Sequence, residues 1–201
     1  MAPRDRRCKV NMKDISLIGF MGCGKSSVGK ILATLLPECR LIDLDTYIEE
    51  KQGKNIPEIF NEYGEAAFRR MEREALEEIF SDKSRPRAIL SLGGGTVTSE
   101  QCRQLIRQHT DCFYLRATTD TLLGNLEGHS DGRPMLNPTQ PVEAPSTETS
   151  SEREALRRRI ESLMQTRSPQ YLATAHHIID IDGLSFAQIA EAVEDNILNI
   201  K

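Results

Sequence analysis

Short apolar runs alternate with amphipathic stretches along most of the chain. Runs rich in apolar and β-branched residues lie at Ile15–Ile18, Leu41–Ile42, Ala88–Leu92, Cys112–Leu115 and His177–Ile179. After the first run, apolar residues recur at helical spacing, at Val28, Ile31, Leu32, Leu35 and Leu36. Because candidate strands alternate with candidate helices, the pattern predicts an α/β protein in which helices cover both faces of a parallel sheet.

Local signals mark where other predicted helices begin. Asn55-Ile56-Pro57 is typical of a helix entry with proline in the first turn, and a second helix is expected over about 65–80. Thr98 and Gln101 have the spacing of a capping box, which predicts a helix that opens there and runs to Gln108.

Length and charge restrict the class of protein. A chain of 201 residues suits one domain with a substantial core. Its 26 basic and 30 acidic residues nearly balance, which argues against nucleic acid or a membrane surface as the main partner. The five cysteines show no C-x-x-C spacing, and no apolar run is long enough to span a bilayer. We therefore expect a cytoplasmic, monomeric protein with a single domain over residues 1–201.

Two segments differ from this domain pattern. The polar start of the chain lacks the apolar core of a secretory signal, so residues 1–13 are expected to form a flexible leader, or else Met12 is the true start. Prolines and serines replace apolar periodicity over 137–151, inside a predicted lid region over about 127–152. Two interpretations of 137–151 stay open, a tolerated spacer and a stiff arm that sets lid closure.

The run Gly19–Ser26 has the form G-x-x-x-x-G-K-S and directly follows the first predicted strand. Glycines in this pattern let backbone N–H groups surround phosphate oxygens at the start of a helix. Lys25 is expected to reach the β- and γ-phosphates, and Ser26 to supply a Mg²⁺ ligand. The run therefore predicts a nucleoside triphosphate site formed by Gly22, Cys23, Gly24, Lys25, Ser26 and Ser27.

The acidic partner of this phosphate loop is not at its usual place. Many such loops work with an aspartate at the end of a later strand, but the run Ala88–Leu92 ends in three glycines, at 93–95. Asp43 and Asp45 follow the second predicted strand instead. Since residues i and i+2 of an extended segment share one side, both carboxylates are expected to face the phosphate loop. The alternative is an exposed D-x-D that only caps the next helix.

Further motifs follow in order, and together they are far more specific than any one of them. They are F-R-x-x-E at Phe68–Glu72, the glycine triplet, R-P-M-L at Arg133–Leu136 and R-S-P-x-Y at Arg167–Tyr171. With these, the chain resembles the shikimate kinase family from about Ile15 to Ile200. The resemblance implies a three-layer P-loop kinase fold, with a five-stranded parallel sheet, helices on both faces and a mobile lid.

The resemblance also implies an activity, the transfer of the γ-phosphate of ATP to the 3-hydroxyl of shikimate in the chorismate pathway to aromatic amino acids. Two alternatives stay open. One is another small-molecule kinase of the same fold, such as a gluconate kinase. The other is a nucleotide-binding regulatory module without turnover. Lys25, Asp45 and Arg133 are all present, which favours a catalyst.

Each motif residue acquires a role from the resemblance. Asp45 would orient the attacking hydroxyl and accept its proton, while Asp43 would hold Mg²⁺ through a water, with help from Ser91. Arg69 and Arg167 would clamp the shikimate carboxylate from two sides. Glu72, one helical turn after Arg69, would hold that guanidinium in place.

The remaining roles concern the glycines, the lid and the base. Gly93, Gly94 and Gly95 would let backbone amides approach the ring hydroxyls. Arg133 would swing over the phosphates and stabilise the transition state. Related sequences carry an arginine that stacks on adenine in the helix before the lid, but the segment Leu123–Leu126 has none. The adenine contacts are therefore left open by the sequence.

Overall fold

A five-stranded parallel sheet in the order β2-β3-β1-β4-β5 forms the centre of the computed structural model, which describes residues 13–126 and 150–199. Each predicted apolar run lies on one strand, which confirms the strand pattern. The strands are β1 Asp14–Ile18, β2 Arg40–Asp43, β3 Ala88–Ser91, β4 Thr110–Arg116 and β5 His177–Asp180.

Helices cover both faces of this sheet, as predicted. In the described ranges they are α1 Lys25–Leu35, α2 Leu44–Gln52, α3 Ile56–Ser81, α4 Glu100–His109, α5 Thr119–Leu126, α6 Ser150–Thr174 and α7 Phe186–Asn199, with a 3₁₀ turn at Thr96–Thr98. Helices α1, α5 and α7 share one apolar core with the sheet, and α2, α3 and α4 share the other. Along β4, Phe113 and Leu115 enter the first core and Cys112 and Tyr114 the second.

Helix α3 is interrupted at Gly64, whose backbone has φ 76° and ψ 171°. Its first segment starts as predicted, with Asn55 and Glu58 forming a reciprocal capping box and Pro57 in the first turn. The second segment begins directly after Gly64 and runs to Ser81. Two helical segments were expected here, and both are present.

The predicted cap of α4 is wrong by one residue. The Ser99 side chain, not Thr98, accepts the capping bond, from the Cys102 N–H at 3.3 Å. Thr98 belongs to the preceding 3₁₀ turn, where its hydroxyl donates to the Gly95 carbonyl at 2.7 Å. Because the Thr98 hydroxyl is bonded within that turn, it does not cap α4.

Parts of the predicted lid and leader lie outside the described residues. Residues 1–12 and 127–149, with Arg133 among them, are not described, and the predictions for them stay predictions. At the end of the lid region α6 begins at Ser150, so the loop predicted up to 151 ends slightly earlier. No helix within the described ranges combines the length and apolar character that crossing a membrane requires.

Candidate active site

The turn between β1 and α1 has the backbone of a phosphate-binding loop. Gly19, Gly22 and Gly24 have φ values of 149°, 83° and 87°, in the region that side chains with a Cβ rarely enter. Gly24 is the N-cap of α1, so the positive end of the helix dipole faces the loop. This geometry can hold an anion through backbone N–H groups.

Lys25 lies inside the loop, with only 7% of its surface exposed. Its ammonium donates hydrogen bonds to the carbonyls of Gly19 at 2.9 Å and Phe20 at 3.0 Å. Cys23, predicted to be part of the loop, is fully buried beside it. In this state the Lys25 side chain links backbone carbonyls of the loop. The sequence predicted only a contact with phosphate.

Oxygen atoms from three elements meet at the start of α1. The Ser26 hydroxyl donates to Asp43 Oδ2 at 2.6 Å and lies 3.1 Å from the Ser91 hydroxyl. Asp43 and Ser91 are register partners at the carboxyl ends of β2 and β3. Hydroxyl and carboxylate oxygens are the ligands that Mg²⁺ prefers, and it commonly takes only one or two carboxylates. The donor set therefore fits Mg²⁺.

The prediction that Asp43 and Asp45 share one side of an extended segment is wrong, although both residues line the same cleft. Asp45 lies in the first turn of α2, not in an extended segment. Asp43 caps that helix, since its Oδ1 accepts the N–H groups of Asp45 at 3.2 Å and Thr46 at 3.4 Å. Asp43 therefore caps the helix, as the alternative expected, but it is partly buried, lines the cleft and contacts Ser26, so it does more than cap.

Asp45 is the carboxylate with the most unusual surroundings. Its Oδ1 is buried and has no hydrogen-bond partner among the described residues. Burial, together with the negative charges of Glu72 and Asp43, raises the pKa of its carboxyl to about 7. Such a group can accept a proton near neutral pH.

The glycine triplet lets charged side chains approach one another closely. A Cβ on Gly93 would lie 2.9 Å from Asp45 Oδ1 and 3.0 Å from Glu72 Oε1. One on Gly95 would collide with the Arg69 guanidinium. Glycine is therefore needed at 93 and 95 to make room for the protein's own side chains, whether or not substrate hydroxyls also approach there.

Arg69 is held as predicted. Its Nη1 donates to Glu72 Oε2 at 2.6 Å, and Glu72 is fully buried and also accepts the Thr96 hydroxyl. Burial raises the pKa of Glu72, and the positive charge of Arg69 opposes that effect. A buried carboxylate thus fixes one side of the guanidinium.

Arg167 approaches the same glycines from α6. Its guanidinium is 3% exposed and donates to the Gly94 carbonyl at 3.5 Å, which the Tyr171 hydroxyl also contacts. Burial, and to a smaller degree the charge of Arg69, lowers its pKa. Two arginines, from α3 and α6, therefore converge on one side of the glycine triplet, the arrangement expected of an anion clamp.

A cleft of about 510 Å³ joins the phosphate loop, the two aspartates and two glycines of the triplet. Its predicted lining residues are Gly22, Gly24, Lys25, Ser26, Ser27, Asp43, Asp45, Ser91, Gly93 and Gly94. Gly95 and the two clamp arginines are not among the residues that line it. Phe186 and Asn125 also line the cleft, and the sequence motifs predict a role for neither. The Phe186 ring lies directly over Gly24, and the Asn125 amide donates to the Gly22 carbonyl at 2.9 Å.

The chain is similar in sequence to known proteins of one family. The sequence model of the shikimate kinase family matches residues 21–198. The shikimate kinase of Thermus thermophilus is 34% identical over 183 residues, which cover 91% of this chain and 89% of that protein. That of Chlorobaculum tepidum is 40% identical over 158 residues, covering 79% and 76%.

A solved structure agrees in fold. Shikimate kinase from Acinetobacter baumannii in complex with shikimate superposes with a TM-score of 0.77 at 30% identity, covering 94% of this chain and 96% of that one. The matched family model begins inside the phosphate loop, at Met21, and includes Lys25, Ser26 and the two clamp arginines. The chain belongs to the shikimate kinase family.

Proposed function

We propose that this protein transfers the γ-phosphate of ATP to the 3-hydroxyl of shikimate, giving shikimate 3-phosphate and ADP. One observation carries the proposal beyond family membership. Asp45 and Lys25 line the same cleft, and Asp45 Oδ1 and Glu72 Oε1 both border the space beside Gly93, while Glu72 also holds Arg69. These contacts support a proton acceptor between the phosphate loop and the arginine clamp.

At the substrate end, Arg69 and Arg167 bind the carboxylate with forked N–H donors. The ring hydroxyls then face Asp45 across the glycine triplet. Asp45 accepts a hydrogen bond from the 3-hydroxyl and takes its proton as the oxygen bonds to phosphorus. Its raised pKa brings its proton affinity near the operating pH, which suits a general base.

At the nucleotide end, the backbone N–H groups of the loop hold the phosphates in line with the attacking oxygen. Lys25 exchanges its carbonyl partners for phosphate oxygens, with Arg133 approaching from the lid. Ser26 would hold Mg²⁺ directly and Asp43 through a water, and the ion would neutralise charge on the phosphates. Among the described residues no three acidic, histidine or cysteine side chains could bind a metal alone, so water and phosphate would complete its shell.

A coupled assay of ADP release tests the proposal. With ATP and Mg²⁺, release should depend on added shikimate and stop when EDTA is added. ADP release with gluconate but not shikimate would favour the gluconate kinase alternative. Nucleotide binding without ADP release in the presence of either shikimate or gluconate would favour the regulatory module.

We propose that Phe186 contacts the adenine base, whose binding residues the sequence does not identify. Its ring is 43% exposed, lies at the start of α7 over the phosphate loop and faces the cleft. Aromatic faces bind bases by stacking, with about 1–3 kcal/mol per base. Phe186→Ala should therefore raise the KM for ATP about tenfold, with the KM for shikimate unchanged.

The control is Leu184→Ala, which removes another exposed apolar side chain just before α7 and should leave both KM values unchanged. Steady-state kinetics with each substrate varied in turn measures the effect. An unchanged ATP KM in Phe186→Ala would show that the base binds elsewhere.

The proposal also includes a cytoplasmic location, a single domain and a monomeric state; the scattered cysteines fit a reducing compartment, and the family model spans most of the chain. In this proposal the start of the chain is a leader, and the lid that brings Arg133 to the phosphates ends where α6 begins, at Ser150. The stretch from 137 to the start of α6 is a spacer within that lid.

A further inference from the structure

Arg69 is shared between two carboxylates of very different exposure. Nη1 donates to Glu72 and Nη2 donates to Glu65 Oε1 at 3.0 Å. Glu72 is fully buried, whereas 48% of the Glu65 side chain is exposed. Glu72 is therefore a fixed partner, and Glu65 is the partner that can leave.

One edge of the Arg69 guanidinium contains a donor that has no partner in the part of the chain that the structure describes. In a guanidinium, Nη2 and Nε–H point to the same side and together match the two oxygens of one carboxylate. Glu65 binds Nη2, but Nε is buried without a hydrogen-bond partner among the described residues. A buried donor without an acceptor is costly. A carboxylate that bound both nitrogens would remove that cost.

Glu65 contacts Arg69 at the place where the two clamp arginines approach adjacent glycines. Arg69 lies against Gly95, where a Cβ would be 2.2 Å from Nη2, and Arg167 donates to the Gly94 carbonyl at 3.5 Å. The negative charge of Glu65 also raises the pKa of Arg167. Its carboxylate therefore lies at the clamp, where the substrate carboxylate is proposed to bind. The two arginines, Glu65 and Glu72 sum to zero charge, and one further carboxylate would leave an unbalanced negative charge in a half-buried site.

The backbone next to Glu65 leaves room for the side chain to move. Gly64 interrupts α3 directly before it, and nothing lies within 4 Å of the position a Cβ would take there. Glu65 begins the second segment at its solvent-facing start. Its departure from Arg69 needs only a side-chain rotation into water.

We propose that Glu65 is an internal substitute for the substrate carboxylate. In the empty enzyme it occupies Nη2 of Arg69 at the clamp, and shikimate binds by displacing it. The inference rests on the proposed function. It makes Glu65 a specificity-determining residue, because only a ligand that offers two acceptor oxygens to Arg69 replaces it without loss.

Glu65→Gln tests this by removing the competing charge while keeping the size of the side chain. The dissociation constant of shikimate, measured by calorimetry without nucleotide, should fall about three- to fivefold, the range expected for losing an exposed ion pair. The kcat and the KM for ATP should stay unchanged. Glu65→Asp, which keeps the charge but shortens the reach, should shift affinity in the same direction.

Two further variants of α3 serve as controls for Glu65→Gln. Glu62→Gln removes a neighbouring exposed carboxylate that pairs with Lys54, and it should not change affinity. Glu72→Gln removes the buried support of Arg69 and should weaken binding. If Glu65→Gln weakens binding like Glu72→Gln, or leaves it unchanged, Glu65 does not compete with substrate and the inference is overturned.

Cyclohexanecarboxylate separates this inference from the proposed function, because it carries the carboxylate but no hydroxyl to phosphorylate. It should bind the Glu65→Gln variant more tightly than the unaltered protein. A protein that binds cyclohexanecarboxylate in this way yet never phosphorylates shikimate would refute the proposed function alone. Equal binding to both proteins would refute the inference alone.

Discussion

Lys25→Met is expected to lower kcat by about 10³-fold or more, the scale on which removal of a charge that stabilises a transferring phosphoryl group acts. Methionine fills a similar volume but supplies neither the charge nor the N–H donors. Because the Lys25 ammonium also bonds the carbonyls of Gly19 and Phe20, thermal stability should fall slightly. Single-turnover rates and thermal melts measure the two effects.

Lys30→Met is the matched control, since Lys30 is an exposed lysine of the same helix. It should leave kcat and melting temperature unchanged. If Lys25→Met kept a normal kcat and lost only stability, Lys25 would be a structural residue of the loop and not a catalytic one.

Asp45→Asn is expected to have two opposite effects. Turnover should fall by about 10²–10⁴-fold, because an amide can orient the hydroxyl but cannot accept its proton. The empty protein, in contrast, should become more stable at pH 8. There the wild-type carboxylate is charged, although it is buried, lacks a partner and lies near Glu72 and Asp43.

The stability gain depends on pH with a definite sign. The carboxyl pKa is about 7 in the folded protein, against about 3.9 in an unfolded chain. Between these values the folded state binds more protons, so wild-type stability falls as pH rises from about 4 to 7 and is then constant. The gain of Asp45→Asn should grow over the same interval, to about 1–3 kcal/mol, since the residue is partly exposed.

Denaturant unfolding with EDTA, at several pH values, measures this gain. Asp195→Asn, at an exposed site on α7, should show no such dependence. A gain in Asp45→Asn that was the same at pH 4 and pH 8 would mean that Asp45 is not charged and strained in the empty enzyme.

The strands were predictable because buried parallel strands are nearly continuous apolar runs. The site residues were predictable where a motif is contiguous, as in the phosphate loop and in Arg69 and Glu72, one helical turn apart. The position of Asp45 was not, since the sequence does not show that β2 ends at Asp43 and that a helix begins in the next residue. Likewise, only the 3₁₀ turn decides between Thr98 and Ser99 as the cap of α4.

Contacts between distant parts of the chain left no sequence signal. Phe186 is an ordinary apolar residue at a helix start until the fold places it over Gly24. Glu65 has the i, i+4 spacing of a common surface ion pair with Arg69, and only the burial of Glu72 and the position of Arg69 and Arg167 at adjacent glycines distinguish it. These features depend on how α3, α6 and α7 pack, which local patterns do not encode.

The two oxygens of Asp43 serve different neighbours. Oδ2 accepts from Ser26, where the metal is proposed to bind, and Oδ1 caps the helix that carries Asp45. One side chain therefore links the position of the cation to the position of the proton acceptor. A kinetic defect in an Asp43 variant would mix both losses, and the effects of changes at Ser26 and Asp45 would not add independently. The nucleotide and acceptor halves of the cleft are thus coupled through the side chain of Asp43.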